Sequence, residues 1–216
     1  MFIQGPRVIV RAMTRADLSQ MAAWHPFEDP LYLDANWPIR SAEELDRWYA
    51  AASRSSDRLL YAVANESGRI IGSITLREMD DRRSARLGIT IGADFVNQGY
   101  GTEALTLFVD SYFQEMGFQK LVLDVAGSNQ RAIRVYRKLG FQVVGEQERP
   151  MGRAKKRSFL QNPAFSHLGR FFRRDWLGRW WELCYDMQLT RQDWEQRRRG
   201  LNSDVAEILS RRTKGE

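Results

Sequence analysis

Two short stretches of this chain hold residues whose types and spacing could do chemistry. In Gln98-Gly99-Tyr100-Gly101-Thr102, two glycines sit after a strand-like run and open a helix-like one. Glycine lets backbone N–H groups approach a ligand closely. A helix start adds unpaired donors and partial positive charge, so such a turn can hold phosphates. About thirty residues downstream, Asn129 opens a second helix-like run, and Tyr136 follows seven residues later. Gly140-Phe141 then stops that helix and re-enters a strand. The second helix can place a phenol beside a reacting group. Taken singly, each residue has a plain structural use: a helix-starting turn, an Asn N-cap, and a tyrosine on the apolar side shared with Ala132, Ile133 and Leu139. Their order and separation, with a strand before each, point to a site.

The surrounding elements are legible from periodicity. Arg7 to Met13 reads as a strand, and Thr14 with Asp17 as a capping box for a helix. Residues 25–40 are rich in proline and aromatics without a period. Ser41 with Glu44 caps a second helix. Leu59 to Ala64 and Ile70 to Arg77 are strands joined by a Glu66-Ser67-Gly68-Arg69 turn, and Ala85 to Gly92 is another. From Gly99 the period becomes helical, with Ala104, Leu105, Phe108, Val109 and Tyr112 on one face. Lys120 to Ala126 is nearly all apolar, as expected of a central strand covered on both sides. A helix over Asn129 to Leu139 follows, then strands Phe141 to Glu146 and Trp181 to Leu189. This order predicts a mixed α/β sandwich around one sheet. Thr190 with Asp193 predicts a short helix to Arg199, and Ser203 or Asp204 a further one through Arg212.

The bulk numbers bound the class. With 216 residues, 43% apolar and 28% charged, the chain is long enough for one domain with an appendage. It holds no run of about 18 or more apolar residues and no signal-peptide pattern at its start, so a cytoplasmic protein is expected. One cysteine, Cys184, excludes an internal disulfide framework and is expected to be a buried, inert thiol. His25 and His167 are isolated, so no metal site is expected. Residues 149–179 hold nine Lys or Arg against one acid, Asp175, which exceeds the whole chain's net +6. The high pI is therefore a property of one segment.

On these residues the chain resembles the GNAT acetyltransferase superfamily. The matching pieces are Gln98 to Leu105 and the pattern Asn129, Ala132, Tyr136, Gly140-Phe141, with Arg7 to Arg11, Asp17 and Ile70 to Ile74 similar to earlier strands and helix. The Trp181-to-Trp194 ending is similar to the branch that acetylates protein N-termini, ribosomal proteins among them, which also holds antibiotic and small-amine acetyltransferases. The resemblance implies a single mixed, mostly antiparallel sheet flanked by helices over residues 1–189. Outside that layout lie a basic-aromatic insertion (149–179) before the last strand, longer than the family pattern, and a helical tail (190–216) after it. The resemblance also implies acetyl-CoA as cosubstrate. The diphosphate would lie on Asn97, Gln98, Gly99, Tyr100, Gly101 and Thr102. The pantetheine arm would lie along Ile89, Thr90 and Ile91 with a contact from Asn129, a backbone N–H near Ile91 would face the thioester carbonyl, and Tyr136 would sit near the sulfur.

The chemistry expected is acetyl transfer to a primary amine, either a protein N-terminus or a small amine. The amine attacks as free base, a fixed N–H stabilises the oxyanion, and Tyr136 protonates the departing thiolate. The chain departs from the family pattern at Val96 and Asn97, where a Gln or Arg and a glycine are frequent. It departs again at Arg86, where many relatives carry an acid. Glu78 is the substitute base, and a solvated strand-end charge is the competing reading of it. The insertion adds Phe159, Phe165, Phe171, Phe172, Trp176 and Trp180 to the basic residues. Phe165, Leu168, Phe172 and Trp176 fall at helical spacing. A lid, a docking surface for an acidic protein or RNA, and a membrane-surface helix all remain open for it, as does a homodimer for the chain. The alternative function is a catalytically weak GNAT-like scaffold that binds a partner through this insertion.

Overall fold

The computed structural model describes residues 1–37, 41–152 and 163–200. Nine strands form one sheet: β1 (Phe2–Gln4), β2 (Val8–Ala12), β3 (Leu59–Asn65), β4 (Ile70–Asp80), β5 (Ser84–Ile91), β6 (Lys120–Ala126), β7 (Gln142–Pro150), β8 (Phe172–Arg174) and β9 (Trp180–Thr190). The spatial order is β1-β2-β3-β4-β5-β6-β9-β7, with β8 paired to β9. Every pairing is antiparallel except β5 with β6. The helices are α1 (Arg15–Ala22), α2 (Ala42–Arg54), α3 (Tyr100–Gln114) and α4 (Gln130–Leu139), with α5 over 191–200.

Alternation along the strands divides the helices between the two faces. Met13, Leu18, Met21, Leu45, Ala62, Ala64 and Ile70 pack α1 and α2 on one side. Val63, Ile71, Leu87, Leu121, Leu123 and Met187 pack against Phe108, Tyr112, Ile133 and Tyr136 of α3 and α4 on the other. Tyr112, Phe108 and Phe113 are fully enclosed, and each contributes roughly 1.5–3 kcal/mol by burial. Both capping boxes form: Asp17 accepts from Thr14 N at 2.7 Å, and Glu44 accepts from Ser41 N at 2.7 Å. The predicted Thr190–Asp193 box also forms, with Asp193 N donating to Thr190 Oγ1 at 3.1 Å. It starts α5, whose Trp194 stacks on Phe113 at 5.4 Å and donates to Asp110 at 2.7 Å.

One pairing shapes the site. β5 and β6 are in register only at Ser84–Lys120, Ala85–Leu121 and Arg86–Val122. Beyond Arg86 the strands part, although β5 stays paired to β4 as far as Ile91. Gly92 N donates to Ile71 O at 3.0 Å, which marks a hydrogen-bonded pair at the end of that ladder. By the alternation of antiparallel ladders, Ser73–Thr90 is the next such pair, and Ile89 and Ile91 turn their N–H and C=O groups away from β4 toward the gap.

The insertion differs from its predicted form. Helical spacing over Phe165, Leu168, Phe172 and Trp176 suggests an amphipathic piece. Instead a 3-10 helix spans Pro163–Phe171 and the chain then extends as β8. Phe172–Arg174 pair with β9 at Trp180 to Glu182, beside the last residue of β9 that β6 reaches, Cys184. That free edge offers ladder hydrogen bonds, and these override the local periodicity. Leu168 and Phe171 are buried, but Trp176 is 89% exposed on the turn that follows. The short strands β1 and β8 carry no signal in the sequence reading. The predicted helix from Ser203 or Asp204 through Arg212 lies outside the described residues, as do Phe159 and the basic residues Arg153, Lys155, Lys156 and Arg157.

Candidate active site

The glycine turn is built by backbone conformation. Asn97 (φ 61) and Gly99 (φ +86) both adopt the left-handed region. Gly99 is the N-cap of α3. A Cβ there would be strained by φ and would stand 3.0 Å from Arg7 Nη2. A Cβ on Gly101 would come within 3.3 Å of Ile91 Cγ1, so any larger side chain would fill the space between helix and strand. Arg7 fastens the turn from outside: Nη1 donates to Gln98 O at 2.9 Å, Nε donates to Glu103 at 2.9 Å, and the guanidinium lies 5.1 Å from the Tyr100 ring centre. The first N–H groups of α3 have no helical acceptor. Together with the missing Cβ atoms they make a main-chain cradle that suits a diphosphate.

This cradle borders an open cavity of about 370 Å³ between β5 and α4. Of the residues singled out in the sequence, Ile89, Thr90, Ile91, Asn97, Gly99, Gly101, Thr102, Asn129 and Tyr136 line it. Gln98 and Tyr100 belong to the turn but not to the wall. The Gln98 amide donates to Asp94 O at 2.7 Å, and the Tyr100 ring serves Arg7. Asn129 caps α4, its Oδ1 accepting from Ala132 N at 3.1 Å. Gly140 ends the helix with φ +98.

Tyr136 is 8% exposed and packs on Phe141 at 5.8 Å. Its hydroxyl meets no hydrogen-bond partner among the described residues, although the side chain borders the cavity. Burial, reinforced by the nearby Asp124 charge, pushes the phenol up to about 12. It therefore stays protonated throughout the neutral range.

Glu78 is placed elsewhere. It has φ 51, at the irregularity where the β4–β5 register shifts, and it pairs with Arg86 at 2.7 Å outside the cavity wall. Arg86 also reaches Asp124 at 3.0 Å, and Arg149 reaches it at 2.6 Å. Burial opposes ionisation of Asp124, but the Arg149 hydrogen bond and the charges of Arg149, Arg86 and Arg77 outweigh it and hold the carboxyl below its ordinary value. Asp124 is the lone acid in the apolar run Lys120 to Ala126, a signal the sequence reading passed over.

Further wall residues were not singled out, among them Phe27, Tyr32 and Ala35 from the aperiodic segment, and Arg131, Arg134 and Lys138 from α4. The Arg131 guanidinium lies 4.2 Å from the Tyr32 ring centre and 5.9 Å from that of Phe27. This contact joins α4 to the 3-10 helix Pro30–Ala35. The three cations had a sequence signal in their spacing along one helix. Phe27 and Tyr32 had none, because only the tertiary fold brings them to α4. Among the described residues, no group of three or more His, Cys, Asp or Glu is placed to hold a metal ion, and no helix is long and apolar enough to cross a membrane.

Comparison with known proteins fits this geometry. The family model described as acetyltransferase (GNAT) domain matches residues 7–142. A spermidine N(1)-acetyltransferase of Escherichia coli K12 is 38% identical over 143 residues, covering 64% of this chain and 75% of that protein. A mycothiol acetyltransferase of Saccharomonospora viridis is 30% identical over 129 residues, covering 56% of this chain and 39% of that protein. The crystal structure of spermidine N-acetyltransferase from Vibrio cholerae with CoA and spermine superposes with a TM-score of 0.66 at 19% identity, over 88% of this chain and 99% of that one.

Proposed function

The chain belongs to the GNAT family of acetyl-CoA-dependent N-acetyltransferases, and from that membership we propose that it acetylates the primary amine of a small acceptor rather than a protein N-terminus. The names of its relatives, spermidine and mycothiol acetyltransferases, support a small acceptor. The observation that carries the assignment of the site is the Tyr136 hydroxyl, without a hydrogen-bond partner among the described residues, in the wall of the cavity that begins at the glycine cradle.

The chemistry follows from the groups in that wall. The diphosphate of acetyl-CoA rests on the main chain of residues 97–102, and the pantetheine arm enters the gap beside Ile89, Thr90 and Ile91. The free amine attacks the thioester carbon. A C–N bond forms, and the oxyanion is met by an N–H that β5 turns to the gap. Collapse breaks the C–S bond. A phenol near 12 lies well above the ordinary thiol value of about 8.5. Tyr136 therefore serves the leaving sulfur by donating a hydrogen bond, and the proton lost by the amine reaches the thiolate through solvent. Glu78, held by Arg86, is not used as base. An alkylamine near pKa 10.4 is then limited by its own small free-base fraction at neutral pH.

The test is thiol release from acetyl-CoA with spermidine, spermine, simple diamines and N-terminal peptides. Turnover of one or more small amines, faster than of any peptide, is expected. Preference for a peptide would overturn the acceptor assignment, and silence across the whole panel would favour the scaffold alternative.

A further inference from the structure

The hairpin that joins β8 to β9 holds two large apolar side chains in solvent. Trp176 is 89% exposed and Leu177 54% exposed. The turn beneath them is fixed by one carboxylate. Asp175 Oδ1 accepts from Leu177 N at 3.0 Å and from Arg179 N at 2.8 Å, and Oδ2 accepts from Arg179 Nε at 2.7 Å and from Trp181 Nε1 at 3.0 Å. Gly178 N donates to Asp175 O and Asp175 N to Arg179 O, both at 2.9 Å, and Gly178 takes φ +76. Asp at the first place of such a turn and Gly at the last meet its conformational needs. The two corner positions accept most residues, so the turn itself asks for neither Trp nor Leu. Cations stand around the tip. Residues 170–180 hold Arg170, Arg173, Arg174 and Arg179 against Asp175. Arg173 ends on Glu148 and Arg179 on Asp175. Arg174 leans over the turn, 3.1 Å from where a Cβ on Gly178 would stand, and Arg170 lies 4.7 Å from the Phe171 ring centre. Among the described residues, neither of these two has an acid within ion-pair reach.

We infer that this tip docks on an anionic lipid surface, with Trp176 and Leu177 entering the headgroup region and Arg170 and Arg174 meeting lipid phosphates. The inference lies outside acetyl transfer and does not rest on it. An indole is favoured at a bilayer interface because its apolar body and polar N–H suit the boundary between hydrocarbon and water. Leu177 adds hydrocarbon beside it. Each Arg held near an anionic surface strengthens attachment about fivefold. The apolar residues that an interfacial helix would need are taken up by the fold: Leu168 and Phe171 are buried, and Phe165 and Phe172 pack on them. The insertion therefore offers a membrane a protruding tip and not an amphipathic stripe. Other occupants fit less well. Two side chains, the larger presenting about 150–250 Å², fall short of the roughly 1,000 Å² that a specific protein interface clears. A single-stranded nucleic acid can stack on Trp176, but Leu177 has no π-face for a base.

The experiment is flotation of the full chain with mixed phosphatidylglycerol and phosphatidylcholine vesicles and with pure phosphatidylcholine vesicles, beside direct binding to a single-stranded RNA oligonucleotide. The wild type is expected to favour the anionic vesicles by about tenfold or more, and to lose several-fold of that attachment at about 0.5 M salt. Trp176→Ser/Leu177→Ser and Arg170→Gln/Arg174→Gln should each weaken attachment by about tenfold or more, whereas Trp176→Phe/Leu177→Ile should keep most of it. Brominated lipids should quench a component of the wild-type fluorescence that Trp176→Phe lacks. Thermal unfolding and acetyl-CoA binding should hold in every variant, because the substituted side chains are exposed, and so a change in flotation reports the surface and not the fold. Absence of flotation with the anionic vesicles, equal flotation with the neutral ones, or undiminished flotation of Trp176→Ser/Leu177→Ser overturns the inference. RNA bound in place of vesicles, and lost in the same variants, assigns the tip to nucleic acid and overturns it as well.

Discussion

The two sides of the sheet treat positive charge in opposite ways. On the side covered by α3 and α4, the rim of the cavity presents Arg134 and Lys138 without acids. Arg86 and Asp124 alternate with Ala85, Leu87, Leu123 and Val125 of the α3/α4 core and so face the other way. There, the guanidiniums of Arg86, Arg149 and Arg77 converge on Asp124 at 3.0, 2.6 and 3.8 Å. The second cluster is closed and structural. The first is left open, and its missing counter-charge is the kind a phosphorylated cosubstrate brings. Charge count alone would rank both regions as basic; the difference lies in whether the protein has already supplied the acid.

The largest expected effect tests the open side. Tyr136→Phe keeps the ring that packs on Phe141 and removes only the hydroxyl. It should lower kcat by about a hundredfold, the low end for a group that assists a leaving atom, with acetyl-CoA affinity unchanged. A matching rise in Kd would instead make Tyr136 a binding residue. The pH profile sharpens this. The phenol at about 12 remains protonated, so kcat/KM for an alkylamine should climb about tenfold per pH unit below the amine pKa. A plateau beginning near neutrality would reveal a base on the enzyme and return Glu78 to consideration. The closed side comes next in size. Asp124→Asn strips the acid from three guanidiniums and should cost about 2 kcal/mol, below the roughly 3–5 kcal/mol of a fully buried pair because the arginines reach solvent. Since the folded carboxyl is held below its ordinary value, its contribution is fully present above the unfolded pKa near 3.9 and is lost as pH falls through the folded one. Acid titration of Tm should therefore be shallower in Asp124→Asn than in the wild type. Identical slopes would show that Asp124 is not a source of acid lability.

How much of this could be seen in the chain follows the same division. The cradle and α4 are local devices. Glycines at φ > 0, an Asn cap and a Gly stop impose their geometry within a few residues, so Gly99, Asn129 and Gly140 were readable in order. The capping boxes at Thr14, Ser41 and Thr190 were readable for the same reason. The Asp124 cluster joins β4, β5, β6 and β7, and nothing near any one of its members announces the others. Glu78 looked like a free acid because its partner Arg86 lies across a bulged hairpin. Phe165 to Trp176 show the converse. Their local period is helical, but the β9 edge beyond β6 offered hydrogen bonds that periodicity does not register. Arg134 and Lys138 were visible as charges, yet without the cavity they read as an ordinary solvated helix face.

Arg131 is the intermediate case, neither paired to an acid nor free. Its guanidinium sits 4.2 Å from the Tyr32 ring centre, with Tyr32 and Phe27 both in the cavity wall. Such a contact contributes about 0.5–1 kcal/mol at a partly exposed site. It joins the segment before α2 to α4 across the cavity and so restrains the opening. Tyr32→Leu retains apolar bulk and removes the ring face. It should weaken acetyl-CoA by about two- to fivefold, as that energy converts. Thermal unfolding should hardly change, because Tyr32 is outside the buried core. If the affinity does not move, the stack restrains nothing, and the separation of Arg131 from its helical neighbours loses its basis.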